Sequence, residues 1–244
     1  FMALDVGILR ADDVRPELVC SFGEYPDMFE NLLHSANSTE DFPKCEDLIF
    51  TPYAVNQGVY PSQIDSHDAY IITGSKSGVY DDEEWIKALK LYVQQLNAKN
   101  KKLIGICFGH QLIAEALGGY AGKAPCGWEI GVKRAVMLAG RDRRFSGVSE
   151  FCLAYSHQDQ VLEKAPGSQV LAETPNCPIA MTSIGSHILT FQGHPEFDVA
   201  YARALFELRK ASYPSDLYSE CETSLSIETQ HLKVAQWMID FMRA

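Results

Sequence analysis

Apolar runs and amphipathic helical patterns alternate along the first half of this 244-residue chain. The run KKLIGIC (101–107) leads directly into the helical pattern GHQLIAEALGG (109–119), which closes with glycines. Before it, residues 82–100 repeat apolar side chains at spacings of three and four, as a helix with one buried face does. This alternation predicts a mostly parallel β-sheet covered by helices on both faces. The other elements predicted here are strands over 3–9, 45–55 and 68–75 and a helix over 25–36.

The second half has a different pattern of short β runs separated by turn residues. Such runs favour antiparallel or mixed pairing, so we expect a smaller antiparallel sheet in this half. The predicted strands are 130–138, 151–157, 169–174, 178–185 and 187–194, and helices are predicted over 198–212 and 226–243. No internal repeat, low-complexity tract or linker interrupts the chain, which predicts a single domain over residues 1–244.

Charge and composition exclude several classes of partner. The formal net charge of −11 disfavours nucleic acid and anionic membranes, because both select for basic patches. No apolar run reaches the roughly 18 residues that a bilayer-spanning helix needs, and the start lacks a signal-peptide pattern. The seven cysteines are scattered without CxxC pairs. They predict reduced thiols in a cytoplasmic protein and no zinc site.

Cys107 stands at the end of a predicted strand and immediately before a predicted helix. Ligands gather at the carboxyl ends of the strands in open α/β sheets. The positive end of the following helix favours the thiolate, which is the nucleophilic form. Gly105 and Gly109 flank the cysteine at two residues on either side, in the G-x-C-x-G pattern of a nucleophile elbow. The alternative interpretation is a buried structural cysteine, as for the other six.

A cysteine nucleophile requires a base, and the base requires an orienting acceptor. In FQGHPEF (191–197), His194 and Glu196 follow a short apolar run, and Pro195 keeps the segment out of a helix. The extended backbone can turn both side chains to the same side. On its own, His-Pro-Glu is a weak motif, and its value comes from its pairing with the cysteine elbow.

Taken together, these motifs resemble those of the class I (triad) glutamine amidotransferases. The matching residues are GICFGHQ (105–111), His194-Pro195-Glu196 and IITGSKSGVYDDEEWI (71–86), the last in the place of that family's oxyanion loop. The resemblance covers most of residues 3–200. It implies a flavodoxin-like α/β fold with a mostly parallel central sheet, and it implies no metal or organic cofactor.

The resemblance also implies the chemistry of the site. Cys107 would attack the side-chain amide of glutamine to give a γ-glutamyl thioester and release ammonia, with His194 moving the proton and Glu196 orienting His194. Oxyanion donors would be the N–H of Phe108 and the backbone around Gly74 and Ser75. The other substrate contacts expected are Gln111, by similarity to the family, and His157 and Gln158 in SHQDQV (156–161), which would otherwise form an ordinary surface turn. His110 is expected on the helix surface, and Trp128 and Glu129 either touch substrate or pack in the core.

Three functions remain open at this point. The leading one is hydrolysis of the glutamine amide, with a separate synthase subunit as a possible receiver of the ammonia, since no P-loop occurs in the sequence. The second is a γ-glutamyl peptidase or hydrolase acting on γ-glutamyl conjugates, which requires the same three residues and differs only in the leaving group. The third is a non-catalytic regulatory subunit, which would have no chemical need for all three.

Overall fold

The computed structural model describes residues 3–38, 47–138, 140, 142–145 and 147–244. Its strands are β1 (Leu4–Arg10), β2 (Leu48–Ala54), β3 (Ala69–Ile72), β4 (Lys102–Ile106), β5 (Tyr120–Lys123), β6 (Glu129–Met137), β7 (Glu150–His157), β8 (Asp159–Glu163), β9 (Gln169–Glu173), β10 (Met181–Ile184) and β11 (Ile188–Phe191). Its helices are α1 (Pro16–Phe22), α2 (Tyr25–Asn37), α3 (Glu84–Ala98), α4 (Phe108–Ala116), α5 (Val199–Leu208), α6 (Ser215–Ser224) and α7 (His231–Arg243).

The described strands form one nine-stranded central sheet and one separate pair. The central order is β2-β1-β3-β4-β11-β10-β9-β6-β7, and the pair is β5-β8. The contacts among β2, β1, β3, β4 and β11 are parallel, and those from β11 through β10, β9 and β6 to β7 are antiparallel. The carboxyl ends of β1, β3, β4 and β11 therefore meet at one edge.

Helices cover the sheet on both faces because its central strands are apolar on both sides. On β3, Ala69 and Ile71 pack into the core beneath α2 and α7, while Tyr70 and Ile72 pack into the core beneath α3 and α4. The helices present their apolar side chains at spacings of three and four, as Leu89, Val93 and Leu96 do in α3.

A third apolar cluster covers the antiparallel end of the sheet. It joins α1, α5 and α6 to β6 and β7 through buried side chains that include Leu18, Ile130, Ala154, Phe206 and Tyr218. The packing of α5 and of the segment before α1 against this end builds one wall of the cleft described below.

The predicted fold class is confirmed. The antiparallel strands of the second half continue the central sheet, and β5-β8 is the smaller antiparallel sheet. The sequence patterns missed the short elements α1, β5, β8 and α6, of which β5 has only four residues. The start of the predicted strand 45–55, including Cys45, lies outside the described residues. The single-domain organisation stays a prediction.

The described residues contain neither a membrane-spanning helix nor a metal-binding cluster. No described helix has the length and apolar character needed to span a bilayer. The same part of the chain contains no group of three or more His, Cys, Asp or Glu side chains arranged to hold a metal ion.

The prediction of a surface position for His110 is wrong. Helix α4 is buried around most of its circumference, and His110 is 1% exposed. Its Nδ1 lies 2.7 Å from Thr190 Oγ1, and its Nε2 lies 3.0 Å from the carbonyl oxygen of Ile179. Nε2 donates to the carbonyl, which can only accept, and the Thr190 hydroxyl donates to Nδ1 when the ring is neutral. Burial lowers the pKa of His110 to about 4.

We predict that His110 makes folding sensitive to acid. Between the ordinary histidine pKa of 6.5 and the folded value of about 4, the unfolded chain binds a proton that the folded protein does not. The contribution of neutral His110 to the free energy of unfolding is therefore fully present above pH 6.5 and decreases as the pH falls towards 4. The wild type should lose roughly 3 kcal/mol more than His110→Gln when urea unfolding is measured at pH 4 instead of pH 7. Equal losses in the two proteins would show that this histidine does not titrate as described.

Candidate active site

Cys107 occupies a strained turn between β4 and α4. Its φ of 51° and ψ of −100° lie outside the regions that L residues ordinarily adopt. A Cβ at Gly105 would lie 2.7 Å from the carbonyl carbon of Gly109, and a Cβ at Gly109 would lie 2.5 Å from the carbonyl oxygen of Ile72. The two flanking glycines thus allow the helix to approach the sheet closely enough to form the turn. The local geometry agrees with the predicted elbow.

His194 and Glu196 turn their side chains towards each other across Pro195. The Nδ1 of His194 lies 2.8 Å from Oε1 of Glu196, and both residues are buried. The backbone N–H of His194 donates to the carbonyl of Ala154 at 2.8 Å, which anchors this segment to β7. Phe197 stacks on the imidazole with ring centroids 3.9 Å apart. The ring is therefore held from two sides.

Cys107 and His194 are brought together at the edge where the parallel strands end. Both line one cavity, and the sulfur is close enough to influence the charge of the imidazole. Burial lowers the pKa of His194, but the charges of Glu196 and Cys107 and the hydrogen bond to Glu196 outweigh it and raise that pKa to about 10. The two neighbouring groups therefore favour the positively charged form of the imidazole.

Two backbone N–H groups close to Cys107 in the chain or in the cavity lack a partner in the described structure. Within the described part of the chain, the N–H groups of Ser75 and Phe108 have no hydrogen-bond acceptor. Phe108 begins α4, where N–H groups have no partner within the helix. A Cβ at Gly74 would lie 3.0 Å from Cε1 of His194, which places the Gly74 backbone against the imidazole. The loop predicted to supply oxyanion donors thus lies at the site.

The cleft around Cys107 has two connected parts. One, here called the Gln111 lobe, has a volume of about 240 Å³ and is lined by Gln111, His157, Gln158 and Asp159. The other, here called the Arg15 lobe, has a volume of about 440 Å³ and is lined by Asp12, Arg15, Tyr25, Phe197 and other residues. The two lobes share Ser75, Lys76, Cys107, Ser156 and Arg209.

Gln111 lies in the cleft as predicted, and its amide is held by two acceptors. Its Nε2 donates to the carbonyl of Asp159 at 2.7 Å and to Oε1 of Gln192 at 3.1 Å. Gln192 in turn donates from Nε2 to the sulfur of Cys107 at 3.5 Å. Sequence reasoning missed Gln192, although its place two residues before His194 was a usable signal.

His157 and Gln158 also line the Gln111 lobe, so an ordinary exposed turn is the wrong interpretation of this stretch. His157 is 4% exposed, and its Nε2 lies 3.2 Å from Oε2 of buried Glu129. The two atoms are close enough for an ion pair, but they do not form a hydrogen bond with each other. Trp128 lines the same lobe, beneath the guanidinium of Arg209. Glu129 does not line the lobe; it is buried against His157.

Asp12, Arg15 and Arg209 are cleft residues that sequence reasoning missed. Asp12 follows β1, and its Oδ2 accepts from the N–H of Lys76 at 2.9 Å, which ties the segment after β1 to the loop that contains Ser75. The end of a parallel strand was an available signal for Asp12. Arg209 follows α5 and has no local motif around it.

The chain is similar to known proteins over most of its length. The family model described as Glutamine amidotransferase class-I matches residues 56–206. A glutamine amidotransferase-like protein of Schizosaccharomyces pombe is 32% identical over 217 residues, which cover 86% of each protein. Gamma-glutamyl peptidase 3 of Arabidopsis thaliana is 33% identical over 165 residues, which cover 64% of this chain and 65% of the peptidase. About a third of that peptidase is thus unmatched.

Similarity to solved structures extends to the whole chain. A glutamine amidotransferase of Thermotoga maritima superposes with a TM-score of 0.76, covering 99% of each chain at 15% sequence identity. At this identity the likeness shows the fold alone.

We predict that glycine relieves the strain at position 107. Cys107→Gly should be about 1 kcal/mol more stable than Cys107→Ala, because only glycine adopts a φ of 51° with a ψ of −100° at little cost. Chemical unfolding of the two variants measures the difference. Cys177 is buried and has no positive φ, so Cys177→Gly should be less stable than Cys177→Ala. The same order at both positions would contradict strain at Cys107.

Proposed function

Because the chain belongs to the class I glutamine amidotransferase family, we propose that it hydrolyses a γ-glutamyl amide bond, of which the side-chain amide of glutamine is the simplest. Cys107 is the nucleophile, His194 the proton carrier and Glu196 the group that orients His194. The observation that carries the proposal is the strained elbow, which presents Cys107 to an imidazole already bonded to a buried carboxylate. The family and its peptidase relatives support a hydrolase in general, and the roles of the three residues are part of the proposal.

Acylation begins from the protonated imidazole. The Cys107 sulfur attacks the γ-carbonyl carbon, and a C–S bond forms while the carbonyl oxygen takes the negative charge. His194, whose pKa is raised to about 10, then gives its proton to the leaving nitrogen as the C–N bond breaks. The products of this step are a γ-glutamyl thioester and a free amine, which is ammonia when the substrate is glutamine.

The tetrahedral intermediate needs donors that are in place before the reaction. We assign this role to the N–H groups of Ser75, which lines the cavity with Cys107, and of Phe108, which follows Cys107; neither has another acceptor among the described residues. Removing one oxyanion donor from an enzyme of this type typically costs about 3 kcal/mol in the barrier. Asp12 supports this arrangement because it holds the neighbouring N–H of Lys76.

Deacylation uses the same residues in the reverse direction. Once the amine has left with its proton, His194 is neutral and takes a proton from a water molecule. The oxygen of that water attacks the thioester carbon, and the C–S bond breaks to give free glutamate and the regenerated thiolate–imidazolium pair. Throughout both steps Nδ1 of His194 donates its hydrogen bond to Glu196, so that Nε2 is the nitrogen that gives and takes the proton.

The Gln111 lobe is the proposed position of the γ-glutamyl group. It is the smaller part of the cleft, at about 240 Å³, and it offers amide groups from Gln111 and Gln158 together with His157. The glutamyl group carries an α-amino group and an α-carboxylate, and polar walls of this kind can hold both.

A second candidate differs only in the leaving group. The Arg15 lobe, at about 440 Å³, is far larger than the roughly 30 Å³ that a water-sized molecule such as ammonia occupies. This volume favours a γ-glutamyl conjugate over free glutamine, in agreement with the peptidase relative. Hydrolysis of free glutamine would instead release ammonia, for which a separate synthase subunit would be the receiver.

We predict that substitution of each proposed residue abolishes or greatly reduces hydrolysis of both glutamine and γ-glutamyl amides. Cys107→Ala and His194→Gln should each lower kcat by about 10⁴-fold or more, and Glu196→Gln by about 10²- to 10⁴-fold, since the imidazole then loses its orienting charge. The measurement is steady-state release of glutamate. Cys20→Ala is the matched control, because Cys20 is an exposed thiol that does not line the cleft, and it should keep full activity. Activity that survives in Cys107→Ala would refute the mechanism.

A further inference from the structure

The charges of the Arg15 lobe are not balanced. Asp12 is paired with Lys76, whose Nζ lies 2.7 Å from Oδ1, and Asp13 is paired with Arg10 at 2.9 Å. Arg15 and Arg209 also line the lobe, and neither has a carboxylate partner among the described residues. The lobe therefore has an excess of positive charge in a protein whose formal net charge is −11.

Arg209 is oriented by aromatic rings and not by an ion pair. Its guanidinium carbon lies 4.7 Å from the ring centroid of Trp128 and 5.7 Å from that of Tyr213. Cation–π contacts of this kind restrain the guanidinium while its N–H groups stay available to a ligand. A planar fork of donors without an acceptor, at the wall of a cleft, suits a carboxylate ligand.

The lobe also has an apolar part. Tyr25 and Phe197 stack with ring centroids 6.4 Å apart, and both line the cavity. Phe197 is the ring that covers His194, so this apolar surface begins next to the proposed proton carrier. The lobe thus offers a ligand both an aromatic surface next to His194 and two arginines.

We propose that the Arg15 lobe binds the leaving group of the substrate, and that this leaving group is an α-amino acid with a free carboxylate, held by Arg209 and Arg15. This inference rests on the proposed function, because it assumes that the γ-glutamyl group occupies the Gln111 lobe. The bond broken is the one between the γ-carbonyl carbon and the nitrogen of the second amino acid. That nitrogen receives the proton of His194, and the amino acid departs through the Arg15 lobe.

The alternative ligand for the arginines is the α-carboxylate of the γ-glutamyl group itself. Arg209 lines both lobes, but Arg15 lines only the larger one. Arg15 therefore separates the two possibilities. A γ-glutamyl dipeptide and its C-terminal amide share the same γ-glutamyl group and differ only in the leaving-group carboxylate.

The experiment compares γ-glutamyl-alanine with γ-glutamyl-alaninamide. The wild type should prefer the dipeptide in kcat/KM by about 10- to 100-fold, which is the usual worth of a hydrogen bond to a charged group. In Arg209→Met and in Arg15→Met this preference should fall about tenfold or more. Arg209→Lys keeps the charge without the planar fork and should give an intermediate preference.

Controls separate a specific loss from a general one. Arg203→Met removes an exposed arginine from α5 that does not line the cleft, and it should keep the wild-type preference. Arg209→Met removes the contact with Trp128 and can lower the stability of the fold. Arg15 is exposed, so Arg15→Met tests the lobe without that effect on stability.

Two outcomes overturn the inference. In the first, the wild type hydrolyses both substrates without preference, or the arginine variants slow hydrolysis of the dipeptide and of the amide by the same factor. The lobe then does not recognise the carboxylate of the leaving group, while the proposed function stands. If the wild type hydrolyses neither substrate and does not hydrolyse glutamine, the proposed function fails and the inference fails with it.

Discussion

The strained turn at Cys107 is the constraint on which the rest of the site depends. An L residue at a φ of 51° with a ψ of −100° is unfavourable by about 1 to 3 kcal/mol and persists only where its surroundings leave no alternative. Here the surroundings are the close contact of α4 with β3 and β4, which is possible because Gly105 and Gly109 have no side chain. The same close packing buries α4, and His110 consequently needs Thr190 and the Ile179 carbonyl as partners.

The second requirement is the order of the strands. Strand β11 is the parallel neighbour of β4, and Phe191 pairs with Ile106 at its end. The N–H of Cys107 donates to the carbonyl of Phe191 at 2.8 Å, so the segment that follows β11 leaves the sheet beside the elbow. Sheet pairing thus brings Cys107 next to the segment that contains His194, although the two are far apart in the chain. The backbone hydrogen bond from His194 to Ala154 then holds this segment against β7.

Local patterns predicted much of this, since they reflect local causes. The β4–Cys107–α4 unit and the amphipathic α3 follow from apolar spacing and glycine placement within a few residues. The Arg15 lobe could not be predicted in this way. Arg209 joins the cleft because α5 packs on the antiparallel end of the sheet and Trp128 lies beneath its guanidinium, and no nearby motif records either contact. Tertiary packing likewise determines that His110 is buried, and the helical pattern of residues 109–119 does not reveal this.

The central claim is that the sulfur of Cys107 is the nucleophile, activated by His194. A glutamine analogue that carries a diazoketone in place of the amide tests it most directly, because such a reagent alkylates a thiolate that can bind the γ-glutamyl group. Intact mass and peptide mapping should show one adduct per chain at Cys107, formed much more slowly in His194→Gln, with exposed Cys20 and Cys126 unmodified. Labelling confined to the exposed cysteines, or an adduct at Cys107 that forms equally fast without His194, would contradict the claim.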